Sequence, residues 1–143
     1  MNEEQNTFLT NRLKTLAEKQ PEILILRDIL LSIGGTHLVA PSRPEPDLED
    51  ILNRGIVMKE PVHFEEMARS GCHQNVSELW REKRGNLVAL ATGYALSDDG
   101  LWRQHSWGMQ KDAIFETTEP RTVYFGLRIE GADADLFASR SST

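Results

Sequence analysis

The chain has 143 residues, a length that favours one domain with a core needing no disulfide or metal staple. Its 39% hydrophobic and 27% charged residues are those of a soluble globular protein, and a net charge of -6 gives it no general electrostatic reason to seek nucleic acid or an anionic membrane. The single cysteine cannot form an internal disulfide, Met1–Gln5 is polar rather than signal-like, and the most apolar run, Ile23–Ile33, is too short and carries Arg27 and Asp28, so a cytoplasmic location is expected and no membrane span.

In chain order, Phe8, Leu9, Leu13, Leu16 and Ala17 recur at helical spacing and predict an amphipathic helix from Asn2 to Gln20. Pro21 interrupts it, and Glu22 opens a second helix through Ile33, apolar on most sides and ended by Gly34-Gly35. The β-branched content leaves a strand reading open at Ile23–Leu26. Pro41–Pro46 holds three prolines and reads as a covering loop. Asp47 is placed to cap a short helix Leu48–Asn53, with Asp50 imitating a capping box and Gly55 ending it. Ile56–Met58 is a short strand or lead-in, and Pro61 introduces a short helix over His63–Arg69.

Gly71 then precedes a helix over Cys72–Arg84, with Val76, Leu79 and Trp80 as its buried stripe and Gly85 as its stop. Leu87–Leu96 is apolar on both faces and reads as a central strand. Asp98-Asp99-Gly100 predicts a hairpin into Leu101–Met109, where Arg103, His105, Trp107 and Met109 share a face. Ala113–Thr118 and Thr122–Ile129 complete the strands, and residues 131–143 read as a polar tail. The fold class is α+β in a single domain: residues 1–70 form a helical layer with a covering loop, and 71–130 a helix plus an antiparallel sheet.

The chemistry concentrates in the second half. A thiol at a helix N-terminus ionises more readily, because the first amides and the macrodipole favour the thiolate, and Cys72 occupies such a place. A base must reach the sulfur and a third group must orient the base. His105 sits mid-strand, and Glu116 lies on the following strand where an antiparallel neighbour can meet the imidazole. A hairpin centred near Asp99 sets Gly93 opposite His105, leaving room for the ring and thiol. His73 and Asn75 lie within a turn of the sulfur as candidate donors, Asn75 equally as a helix cap, and Trp107 either walls the cleft or packs the core.

Cys72 at a helix start, His105-Ser106-Trp107 on a strand and Glu116-Thr117-Thr118 on the next resemble the transglutaminase-like branch of the papain-like cysteine enzymes. The resemblance covers roughly the C-terminal half of the chain and rests on short motifs. It implies a papain-like core with the cysteine at a helix N-terminus, and acyl transfer through a thioester on a protein, peptide or small amide or ester substrate, without a cofactor. Two departures stand out: the acid is Glu116 where the family usually has Asp, and Ser70-Gly71 precede the cysteine where a Trp is common. Two other readings remain open. One is a non-catalytic interaction module of degenerate papain-like fold. The other is a metal site drawing on Cys72, His73, His105 and His37 or His63, although adjacent helical residues do not converge on one point.

Overall fold

The computed structural model describes residues 1–140. Helix α1, Glu3–Lys19, buries Leu9, Leu13 and Leu16, and Asn2 and Gln5 cap its start reciprocally. Helix α2, Ile23–Ile33, is helical throughout and buries Ile23, Leu26 and Leu30 before ending at Gly34. Helix α3, Leu48–Arg54, ends at Gly55, but the expected Asp47–Asp50 capping box does not form. The Asp47 carboxylate turns instead toward Arg140, whose Nη2 lies 3.9 Å away.

Seven strands form one sheet: β1 His37–Leu38, β2 Ile56–Met58, β3 Val62–Phe64, β4 Ala89–Leu96, β5 Leu101–Met109, β6 Ile114–Glu116 and β7 Val123–Ile129. The order is β2-β7-β4-β5-β6-β3, with β1 beside the start of β5. Most pairs are antiparallel, as expected, but β1–β5 and β3–β6 are parallel, so the sheet is mixed. Two expectations for the first seventy residues therefore change. They are not only a helical layer, since they lend three short strands to the sheet. The helix expected over His63–Arg69 is replaced by β3 and an extended run, held by Glu65 N–H to the Glu116 carbonyl (3.0 Å) and Met67 N–H to that of Thr117 (2.7 Å). All three β3 residues are exposed, so pairing with β6 decides this conformation rather than any local pattern.

The central strand, β4, is buried along its whole length. Tyr94 and Leu96 face a core shared with Trp102, Phe125 and helices α1–α3. Ala89, Ala91 and Ala95 face a second core with Met58, Trp107, Met109 and Tyr124. Gly93 does lie opposite His105, but its missing side chain serves the other neighbour: a methyl there would collide with the Phe125 carbonyl and the Gly126 backbone of β7.

Helix α4, Cys72–Arg81, stops three residues short of expectation, and Lys83 just beyond it has a positive φ of 56°. The tail expected from residue 131 is helix α5, Gly131–Arg140, which buries Ala134, Phe137 and Ala138 beside Val76 and Leu90. Those three apolar positions recur at i, i+3 and i+4 and are what make the segment a helix. The rest of that tail, residues 141–143, lies outside the described residues. Among the described residues no helix is long and apolar enough to cross a membrane.

Candidate functional site

The outer edge of β5 is shared between two short partners. β1 pairs with it only at Leu101–Trp102, and β6 only at Gly108–Met109. Among the described residues, no strand pairs with that edge at Arg103–Trp107. The start of α4 fills the opening, so Cys72 meets the edge of β5 where His105 and Ser106 stand. No side chain caps α4 at Gly71, which leaves its first backbone N–H groups directed at this region without helical partners.

Cys72, His105 and Glu116, predicted from three separate elements, come together at one place. His105 Nε2 bonds Glu116 Oε1 at 2.8 Å, and both side chains are buried, at 2% and 0% exposure. The imidazole also stands beside the half-buried Cys72 thiol, close enough for each to shift the other's ionisation. With Nε2 held by the carboxylate, the ring has Nδ1 left for the sulfur.

Burial alone would hold the Cys72 proton on, but His105, with the Ser106 and His73 backbone N–H groups, outweighs it and lowers the thiol below its ordinary range. Burial likewise opposes a charged His105, yet Cys72 and Glu116 raise it. Glu116 works against burial too, and its bond to His105 leads the effects that bring it to about 2. The three shifts run in the directions that favour a thiolate, an imidazolium and a carboxylate.

A cavity of about 300 Å³ opens onto the sulfur and His105. Its walls are Glu45, Pro46 and Asp47 on one side, with His73, Thr92, Gln104, Ser106 and Arg140 around the rest. The proline loop thus does cover something. Glu45 is buried and accepts from Tyr94 OH (3.0 Å), Gln104 Nε2 (2.7 Å) and Asp47 N–H (3.0 Å). The loop is also tied to the N-terminal helices: Gln20 bonds both the N–H (2.8 Å) and the carbonyl (2.9 Å) of Glu45, and Arg12 Nε donates to the Ala40 carbonyl (2.6 Å).

The supporting residues divide. His73 lines the cavity, with Nδ1 3.3 Å from Ser106 Oγ and its ring tilted on Phe137; burial, then the Arg140 guanidinium, push it below its usual value. Asn75 is neither the helix cap nor a cavity donor. It is buried, and its Nδ2 donates to the Ala68 carbonyl (2.8 Å) and to Thr117 Oγ1 (3.1 Å), tying α4 to the segment after Glu116. Trp107 is core rather than cleft wall: it is fully buried, with its ring 5.9 Å from that of His105 and 4.9 Å from that of Tyr124. The remaining histidines are engaged elsewhere. His37 bonds Thr36 and Asn6, and His63 stacks on Phe115. Among the described residues no group of three His, Cys, Asp or Glu is placed to hold a metal ion.

Sequence reasoning missed Glu45, Thr92, Gln104, Ser106 and Arg140 as cavity walls and Tyr124 as a partner of Glu116. Each belongs to a different pattern, a proline loop, alternating strands or a polar C-terminal segment, and only the fold brings them together. No protein-family model, curated protein or solved structure matches the chain.

Proposed function

We propose that the chain is a thiol-dependent acyl-transfer enzyme working through a Cys72-His105-Glu116 triad, akin to the transglutaminase-like branch of the papain-like cysteine enzymes. The observation that carries this reading is the convergence of a half-buried thiol and a buried imidazole hydrogen-bonded to a buried carboxylate, with Cys72 and His105 both lining one cavity. Reactive cysteines sit in partly exposed, electropositive surroundings, whereas buried structural cysteines are inert.

In this mechanism the Cys72 thiolate attacks the carbonyl carbon of an amide or ester, forming a C–S bond. The oxyanion that develops is met by the Cys72 backbone N–H at the uncapped start of α4, where the helix macrodipole also favours negative charge. Gln104 stands on the same cavity; its amide nitrogen already donates to Glu45, which leaves a second hydrogen for that oxygen. The His105 imidazolium passes its proton to the departing amine or alcohol as the carbon–heteroatom bond breaks, leaving a thioester. Water or an amine then gives a proton to His105, attacks the thioester and releases the thiolate. Glu116 keeps the imidazole in one orientation and balances its charge throughout. Its extra methylene relative to Asp is accommodated by four bonds to its oxygens.

The test is alkylation of Cys72 by iodoacetamide across pH, in the native chain and in His105→Ala. A reactive thiolate well below pH 9 that disappears in His105→Ala supports the enzyme. A thiol that reacts like free cysteine and ignores the substitution leaves a non-catalytic module.

A further inference from the structure

Glu116 is held more completely than an orienting carboxylate requires. Oε1 accepts from His105 Nε2 (2.8 Å) and from the Tyr124 hydroxyl (2.8 Å), while Oε2 accepts from the Thr118 backbone N–H (2.9 Å) and Thr118 Oγ1 (3.0 Å). A carboxylate offers about four lone-pair sites, so these donors fill it. Tyr124 is itself buried on β7, opposite Met58 and Ala95, and its ring packs against Trp107 and tilts toward His105 at 6.2 Å.

Two donors on one oxygen compete for the same electron density. A carboxylate oxygen already bonded to a phenol pulls less strongly on a neighbouring imidazolium proton. Without that competitor, Glu116 would bind the His105 proton more tightly. The thiolate would then form at lower pH, but the imidazolium would become a poorer acid for the leaving group.

We propose that Tyr124 is a positioning residue of this site, whose hydroxyl fixes Glu116 Oε1 under His105 and tempers its hold on the imidazolium. This rests on the triad reading above. The titratable and charged groups around the carboxylate come from four elements: Cys72 at the start of α4, His105 on β5, Tyr124 on β7, and Arg121 in the turn after β6, whose Nη2 reaches Thr118 Oγ1 at 3.3 Å. Strand β3 meets Glu116 through its main chain.

The experiment follows thiolate formation by the pH dependence of iodoacetamide alkylation in the native chain, Tyr124→Phe and Thr118→Val, with thermal melting alongside. Tyr124→Phe keeps the ring and removes only the hydroxyl. Its midpoint should fall by about half to one pH unit, part of the worth of one hydrogen bond to a charged group. One unit below the native midpoint, alkylation then rises about three- to fivefold. Thr118→Val removes one donor from Oε2 and should move the midpoint the same way by less. A Tyr124→Phe midpoint that is unmoved or higher, beside a native chain with a His105-dependent low midpoint, overturns this proposal and leaves the triad standing. A native chain without such a midpoint removes both.

Discussion

Replacing Glu116 by Gln tests whether the imidazolium is supported by charge or merely by shape. The amide has nearly the same outline, and its oxygen can take over the Oε1 position, accepting from His105 and Tyr124. What disappears is the negative charge. A hydrogen bond to a charged group contributes about 1.5–3 kcal/mol, and one pKa unit corresponds to about 1.4 kcal/mol. Losing that support should raise the midpoint for Cys72 ionisation by about one to two pH units. The amide NH₂ would meanwhile point at the Thr118 backbone N–H, donor against donor, where Oε2 now accepts at 2.9 Å. Stranding that buried N–H costs about 1–3 kcal/mol, so the variant should fold but melt earlier. Because the chain has one cysteine, ultraviolet thiolate absorbance titrates it without interference from another. A midpoint in folded Glu116→Gln equal to that of the native chain would refute a charge-supported imidazolium.

The acid limb of stability carries the same signature. Glu116 lies at about 2 in the fold against an ordinary 4.5, so its contribution is full above pH 4.5 and lost as pH falls toward 2; urea unfolding at stepped pH should show that loss in the native chain and not in Glu116→Gln. Asn75→Ala removes two bonds between α4 and the segments it braces, taking that donor from the Thr117 hydroxyl and leaving the Ala68 carbonyl only the Gly71 N–H at 3.2 Å; it should cost about 1–3 kcal/mol in urea unfolding and slow Cys72 alkylation by loosening the helix start.

The hairpin from β4 to β5 was legible because Asp98-Asp99-Gly100 marks the turn and the strands on either side alternate or run apolar. Counting outward from that turn was enough to pair Gly93 with His105, and the next strand, taken as an antiparallel neighbour, brought Glu116 near the ring. The cause assigned to Gly93 was wrong because β7 lies on the other side of β4, and strand order is a long-range property that local periodicity does not carry. Strand β3 was unreadable for a similar reason: Val62, His63 and Phe64 bury no face and are strand only through β6. Helix α5 was overlooked because its acidic, glycine-led sequence looks like a tail, although Ala134, Phe137 and Ala138 hold the spacing that buries it. Tyr124 had a clear place as a buried strand aromatic, but nothing in sequence joins a tyrosine to a carboxylate eight positions away across a turn.

The ties from Arg12 and Gln20 to the proline loop make the first helix a splint for one side of the cavity beside Cys72. That helix lies on the surface and anchors through few residues, whereas the thiol, ring and acid are braced from the sheet and α4. Warming or trimming the amino terminus should therefore enlarge that cavity first, while Cys72, His105 and Glu116 keep their arrangement.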